Sequence, residues 1–476
     1  MQYPQSNVVF RGDDGVEIRS RLSRMTRYSA VFEVPNPLTS LRISGVLPEF
    51  SVTSGGRKLY SGRAVLRSLI HTGNTLIGEA ELDHGGGPNG TSSPVPPPEA
   101  GQWGVRFRGF VESWQREYRV RPEFKSVTAD MQSFFEALRL WMDGVELELH
   151  NQPGADRKAR EKLVLDELAI PIVAAIDSFI DAFESIAARL SGEEVETHRH
   201  HLRRQLHPLL LSSPFAYRTY SKPLGYAGDY EVVDMMLRPP YEGETLFAKL
   251  INIWLVGQAP AEAHRNRVTY LVRKLVEETT RASTAKKRAQ VFNLGCGPAD
   301  EVRRFLTEEG TSDRATLTLL DFNEETITQL GQNLERIKGE HRPGAEFHLV
   351  RKSVQQVLKD SGRTGKKGSA PTYDLVYCAG LFDYLTDPVC KRLMDIFYEM
   401  LAPGGLLVAT NVSDAMNRTR PFRYSMEYIL DWHLIYRDGS DFRKVAPELA
   451  PPETVQVVSD VTGVNVFIEV RKPEHG

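Results

Sequence analysis

Three short stretches of this chain hold residue types that do chemistry, at spacings that matter. The first is Asn293-Leu294-Gly295-Cys296-Gly297, which follows the apolar run Val291-Phe292 and leads into a helical pattern at Ala299-Asp300. A strand, a turn with two glycines one residue apart and a helix start make a cradle for a nucleotide-type cofactor. The glycines let backbone approach the ligand without a Cβ, and the helix start offers free N–H groups. Many α/β turns share that much. Asp321 adds weight: it ends a second apolar run and lies 24 residues beyond Gly297, near the spacing at which an acid reaches a ribose diol.

The second stretch is Lys222-Pro223-Leu224-Gly225-Tyr226-Ala227-Gly228-Asp229-Tyr230-Glu231. Its glycines permit tight turns, and Tyr226, Asp229 and Tyr230 can present hydroxyl and carboxylate groups to an acceptor. The plainer alternative is an interhelical turn with both tyrosines packed on the core. The third stretch, residues 426–438, reads as a helix on which His433 shares a face with Ile429 and Arg437. There His433, Tyr436 and Arg437 can orient an acceptor or remove its proton, and a packing helix with Trp432 and Tyr436 in the core is an equal alternative. The cluster Thr197-His198-Arg199-His200-His201, with His207, has no acidic or cysteine partner at supporting spacing, and Arg199, Arg203 and Arg204 would repel a cation. It reads as a solvated basic helix face, and no metal site is expected.

The elements that position these residues fall into four segments. Residues 285–476 alternate strands and helices: apolar runs at 291–294, 315–320, 346–350, 373–377, 406–410 and 464–470, with a helix at 391–401 and the turn Ala402-Pro403-Gly404-Gly405 before the fifth run. That order gives an α/β, doubly wound, Rossmann-like sheet. Residues 105–284 are helical in period, with Phe134, Leu138, Trp141, Val145 and Leu149 recurring at three- and four-residue steps, and Pro171 at a kink or a helix start. Residues 84–104 form a Gly/Pro-rich linker, with four glycines and five prolines between His84 and Ala100. Residues 1–83 hold short runs at 31–34, 41–43, 57–60, 63–66 and 75–82, spaced as in a small β-barrel.

Over residues 285–476 the sequence resembles the class I S-adenosylmethionine-dependent methyltransferases. The resemblance implies S-adenosyl-L-methionine as cofactor, with Asn293, Gly295, Cys296 and Gly297 around its methionine part and Asp321 and Phe322 at the ribose. Lys352 and Ser353 would lie at the adenine, and Cys378, Ala379, Gly380 and Leu381 would face the methyl group. Three departures stand out: Asn293 where an acid is commoner, Ala299 where a third glycine is usual, and Lys352-Ser353 where an acid often meets the adenine amine. A pyridine-nucleotide dehydrogenase is the competing reading of the glycine turn, and the late Pro-Gly-Gly turn favours the methyltransferase. Residues 200–476, through the Lys222–Tyr230 motif, resemble the 3-hydroxypalmitic acid methyl ester biosynthesis group, which implies O-methylation of a carboxylate. The N-terminal segment resembles PilZ domains through Arg19, Arg21, Arg24 and Arg27 and the run Arg42-Ile43-Ser44-Gly45-Val46. The family's arginine pair four apart is missing, and Arg42 replaces an acid or amide, so the resemblance implies a degenerate module that docks or regulates.

Composition agrees with a globular enzyme. The 476 residues are 41% hydrophobic and 25% charged, and 59 basic residues nearly balance 62 acidic ones, so no global field points to nucleic acid. Three cysteines without metal-ligand spacing suggest a reducing cytoplasm. No stretch is long and apolar enough to span a bilayer. The expected function is methyl transfer to a small molecule, first carboxyl O-methylation of a fatty or other carboxylic acid, then N-methylation of an amine. Asp383 and Tyr384 are expected opposite Tyr226. A cyclic di-GMP-responsive effector is the non-enzyme alternative, and the N-terminal or helical domain is the expected place for any homodimer contact.

Overall fold

Alternating apolar and polar residues close the first part of the chain into a barrel. Its antiparallel strands are β1 (Ser6–Arg11), β2 (Glu17–Met25), β3 (Ser29–Val34), β4 (Val46–Ser54), β5 (Arg57–His71) and β6 (Leu76–Leu82), hydrogen-bonded in the order β1-β2-β3-β6-β5-β4. Phe10, Phe32 and Phe50 meet at its centre, with ring centroids within 5.9 Å of one another. The computed structural model describes the chain apart from residues 1–5, 12–14, 27, 35–40, 55–56, 72–75, 84–103, 105–106, 109–110, 113–118, 152–155, 285–286, 342, 362–371, 414–419 and 475–476. The expected linker, save Gly104, and Arg27 therefore lie outside the described residues. The barrel departs from expectation in its details. Residues 57–71 are one strand, not two. Residues 41–43 are no strand, because Ser44 adopts φ +59 and the Gly45 N–H closes onto the Arg42 carbonyl at 3.0 Å. Arg19, Arg21 and Arg24 lie inside β2 with exposed side chains, rather than ahead of a strand.

The helical part comprises α1 (Pro122–Asn151), α2 (Arg157–Ala187), α3 (Gly192–Leu210), α4 (Pro214–Ser221), α5 (Tyr230–Leu237), α6 (Leu246–Val256) and α7 (Ala259–Thr284). Phe124, Phe135, Phe183 and Trp254 are fully buried at its core. Pro171 lies within α2, and a capping box of Ser191 and Glu194 starts α3. No helix among the described residues is long and apolar enough to cross a membrane.

The last part is a seven-stranded sheet of β7 (Ala289–Leu294), β8 (Ala315–Asp321), β9 (Glu346–Arg351), β10 (Tyr373–Cys378), β11 (Leu401–Val412), β12 (Val455–Ser459) and β13 (Asn465–Arg471). Their order is β12-β13-β11-β10-β7-β8-β9, with β12 and β13 antiparallel at one side and the rest parallel. Helices α8 (Asp300–Glu308), α9 (Glu324–His341), α10 (Val354–Ser361) and α11 (Asp387–Met400) alternate with the strands, and α12 (Arg423–Tyr428) and α13 (Gly439–Arg443) follow β11. The chain leaves β7 toward β8 on one side and returns to β10 on the other, so a crevice opens between them, where ligands of such sheets bind.

A buried ionic network joins the three parts. Arg67 and Glu81 of the barrel pair at 2.6 Å, Arg203 of α3 reaches Glu81 at 2.9 Å and Asp431 at 2.8 Å, and Lys222 reaches Asp431 at 2.8 Å. Arg199 adds a contact to Glu81 at 3.3 Å. The face of α3 expected to be solvated is thus an internal seam: Arg199 is 2% exposed and His198 is fully buried. The His198 ring accepts the Arg121 N–H at 3.0 Å, and His207 Nε2 meets the Ile429 carbonyl at 2.9 Å.

Candidate active site

A cavity of about 190 Å³ opens at the ends of β7, β8 and β10, and all three parts of the chain wall it. Beyond β7 the backbone turns through Gly295 at φ +70 and Gly297 at φ +54, the left-handed region that only glycine enters freely. The Leu320 carbonyl takes the N–H groups of Gly295 and Cys296 at 2.8 and 3.0 Å, which pins the turn to β8. Gly297 N–H donates to the Asp321 carboxylate at 3.1 Å, and Asn323 N–H donates to its other oxygen at 2.9 Å. Burial raises the Asp321 carboxyl above its ordinary range, opposed by those N–H groups and by Arg42. Asn293 is buried: Nδ2 donates to Glu301 at 3.3 Å, while Oδ1 has no partner among the described residues. That orphan acceptor is hydrogen-bonding capacity left for a ligand. Burial pushes Glu301 up to about 7, against its own backbone N–H and the Tyr377 hydroxyl.

Beside Asp321, Phe322 lines the cavity, as do Lys352 and Ser353 beyond β9 and Ala379 and Gly380 beyond β10. Lys352 Nζ pairs with Asp360 at 2.5 Å, and Ser353 Oγ accepts the Gln356 N–H at 3.3 Å, starting α10. Cys378 does not line the cavity. As the last residue of β10 it points into the core between the sheet and α11, and burial holds its thiol well above the usual range.

The helical part contributes Tyr226 and Tyr230. Burial raises both phenols, Tyr230 to about 12 with help from its hydrogen bond to Glu325 at 2.9 Å. Asp229, expected beside them, is spent on structure: it caps α5 by accepting the N–H groups of Glu231 and Val232, and it pairs with Arg218 at 2.9 Å. Gly228 between them allows close packing, since a Cβ there would lie 2.8 Å from the Tyr384 hydroxyl. Tyr384 accepts the Trp432 indole N–H at 2.9 Å, and burial raises its phenol. Neighbouring Asp383 accepts the Val412 N–H at 2.7 Å and is pushed up to about 6 by burial, opposed by Arg267.

Residues 426–438 do not form the expected helix. α12 ends at Tyr428, and Asp431 at φ +54 turns the chain because Lys222 and Arg203 capture its carboxylate. Trp432 and Leu434 consequently face the cavity. His433 faces the ionic network, with Nε2 at 3.2 Å from both Asp431 and Arg199, and Tyr436 lies against Arg423. Neither meets the cavity, so both are removed from the acceptor site.

Sequence reasoning missed the cations. Arg267 of α7 lines the cavity, its Nη2 donates to His264 Nδ1 at 2.6 Å, and its Nη1 would touch a Cβ on Gly380 at 2.9 Å. Among the described residues it forms no ion pair, and the buried Nε2 of His264 has no partner. The three-residue spacing of His264 and Arg267 on an amphipathic helix was the available signal. Arg42 and Ile43 of the barrel also line the cavity. A second cavity, of about 1180 Å³, lies between the barrel and α3, with Tyr28, Tyr60, His200, Tyr220 and Asp431 on its walls. Among the described residues no group of three or more side chains is arranged to hold a metal ion.

Residues 292–407, about a quarter of the chain, match the family model described as a methyltransferase domain, which agrees with the sheet order and the glycine turn. Among solved structures, a possible exported protein from Bordetella parapertussis aligns at 17% identity over 64% of this chain and 97% of its own, with a TM-score of 0.40. The N-methyltransferase NodS from Bradyrhizobium japonicum WM9, in complex with S-adenosyl-L-homocysteine, aligns at 16% identity over 52% of this chain and 98% of its own, with a TM-score of 0.30. An O-methyltransferase family protein from Burkholderia thailandensis aligns at 13% identity over 45% and 60%, with a TM-score of 0.31. No curated protein matches the chain.

Proposed function

We propose that the chain is an S-adenosylmethionine-dependent methyltransferase acting on a small molecule. The observation that carries the reading is a matched set of polar groups with hydrogen-bonding capacity to spare around one cavity. These are the Asn293 Oδ1, without a partner among the described residues, the Arg267 guanidinium, which donates to His264 and forms no ion pair among those residues, and the Asp321 carboxylate, which accepts two N–H groups and has acceptor capacity left. Asn293, Gly295, Cys296, Gly297 and Arg267 would hold the charged amino-acid half of the cofactor, and Asp321, Phe322, Lys352 and Ser353 the nucleoside half. Bound there, the cofactor supplies an electrophilic methyl group on a sulfonium. The protein's work is then to align the acceptor and exclude water.

On the acceptor side, burial raises the phenols of Tyr226 and Tyr384 further above neutrality, so both stay protonated and can donate to an anionic oxygen, while Tyr230 donates to Glu325. Val233, Met236, Val268, Met426 and Leu434 add an apolar wall suited to a hydrocarbon body. These features support carboxyl O-methylation of a fatty or other carboxylic acid, since a carboxylate is already ionised and needs no base. One observation favours N-methylation of an amine instead: Asp383, near pKa 6 in the same cavity, can pair with an ammonium and take its proton.

Calorimetry with S-adenosylmethionine tests the class, and mass spectrometry of carboxylic acids and amines incubated with methyl-labelled cofactor tests the acceptor. Binding of cyclic di-GMP without S-adenosylmethionine would overturn the proposal. Label on nitrogen would select the amine reading.

A further inference from the structure

We propose that the N-terminal barrel supplies a wall of the cofactor site, with Arg42 covering the nucleoside end beside Asp321 and Phe322. The inference rests on the reading of the cavity as an S-adenosylmethionine site. Three observations carry it.

The first is contact. The Arg42 guanidinium carbon sits 3.7 Å from the Phe322 ring centroid and 5.5 Å from that of Tyr226, and those two rings are 5.4 Å apart. Arg42, Tyr226 and Phe322 come from the barrel, the helical part and the sheet respectively, and all three line the same cavity. A guanidinium seated on aromatic faces keeps its N–H donors at its edge, where they can meet the ring nitrogens of a purine or a ribose oxygen.

The second is preorganisation. The loop 41–46 that carries Arg42 is fastened to both other parts. Val46 N–H donates to the Gly225 carbonyl at 2.5 Å, and Ser44 Oγ donates to the His433 carbonyl at 3.0 Å. Ser44 holds φ +59, a conformation that persists in a non-glycine residue only when its surroundings enforce it. A loop needed only for docking would not have to aim a cation into the cavity, since the ionic network around Glu81 and Asp431 already joins the barrel to the rest.

The third is charge. Burial raises the Asp321 carboxyl, and the Arg42 guanidinium opposes that rise alongside the Asn323 and Gly297 N–H groups. The barrel therefore helps keep ionised the carboxylate that would accept the ribose hydroxyls.

The test is calorimetry of the full chain with S-adenosylhomocysteine and with 5′-methylthioadenosine, which keeps the nucleoside and lacks the amino acid. Arg42→Ala should weaken both by about tenfold, with Asp321→Ala as the reference for loss of the nucleoside site. Arg42→Lys, which keeps the charge and loses the planar fork, should fall between Arg42→Ala and the parent, and it decides the matter if the alanine variant does not fold. Unchanged methylthioadenosine affinity in a folded Arg42 variant would overturn the inference, as would a loss confined to S-adenosylhomocysteine, which would assign Arg42 to the amino-acid half. Failure of the parent chain to bind either compound would instead overturn the cofactor reading beneath it.

Discussion

Ser44 holds both main-chain groups of His433: its hydroxyl accepts the His433 N–H and donates to the His433 carbonyl at 3.0 Å. The two residues come from the barrel and the sheet domain, and both are buried. Two non-glycine residues in left-handed conformation, Ser44 and Asp431, flank this contact. Each costs roughly 1–2 kcal/mol in isolation, so the joint exists because the contact outweighs the strain.

Ser44→Ala leaves the His433 N–H and carbonyl buried and unpaired, and should destabilise the chain by about 2–3 kcal/mol. Ser44→Gly loses the same hydrogen bonds but relieves the backbone, so in urea or thermal melts it should unfold later than the alanine variant. The reverse order would mean that φ at residue 44 relaxes on substitution.

Asp431→Asn leaves Lys222, 2% exposed, without the carboxylate that compensates it. The expected loss is about 3–5 kcal/mol. Burial alone would raise Asp431 and Glu81. Lys222 and Arg203 outweigh it at Asp431, Arg203 and Arg67 outweigh it at Glu81, and both carboxyls end below their ordinary ranges of 3.8 and 4.5. A lowered carboxyl contributes stability that is present above its unfolded value and lost as pH falls toward the folded one. The parent chain should therefore lose urea resistance steadily below about pH 4.5, and Asp431→Asn should do so less steeply.

Ala299 starts α8 at φ +52, in the left-handed region. Its Cβ opposes that conformation, so Ala299→Gly should stabilise the chain by about 1 kcal/mol. The check is a higher melting temperature with unchanged S-adenosylhomocysteine affinity.

Asp383 should behave in the opposite sense to Asp431. Its carboxyl is raised from 3.8 to about 6, chiefly by burial, so its stabilising share is full when protonated and is lost as pH rises through 6. At pH 7.5 the buried charge costs roughly 2–3 kcal/mol. Asp383→Asn, whose amide oxygen can still accept the Val412 N–H, should melt above the parent at pH 7.5, and the gap should close near pH 4. Methylation of an amine should collapse in that variant, whereas methylation of a carboxylate should survive it.

The sheet and its glycine turn were legible because their signals are local. Apolar runs of strand length, two glycines one residue apart and an acid at the next strand end need no distant partner to be recognised. Residues 426–438 were misread for the converse reason. Their helical period is real, but the turn at Asp431 is imposed by Lys222 and Arg203, more than two hundred residues away. The barrel strand β2 was hidden by its arginines and serines: Ser20 and Leu22 are its buried residues, and Ile18 and Met25 pack partly against the core. Arg42 was noted only as a departure from a nucleotide-binding pattern, and its position over Phe322 depends on docking that no short window of sequence records.

Residues 431–434 form a partition shared by two rooms. Asp431 belongs to the large cleft beneath the barrel, while Trp432 and Leu434 belong to the chamber at the strand ends. A partition cannot be moved from one side only. The barrel is therefore no appendage on a tether: withdrawing it strips the seam that holds the turn, and the chamber loses its ceiling. A fragment reduced to the sheet domain would keep the glycine turn and Asp321, yet it would lack Arg42, Tyr226 and Arg267 and leave the cavity open to water. The cavity is a property of the whole assembly, drawn at the corner where three walls meet.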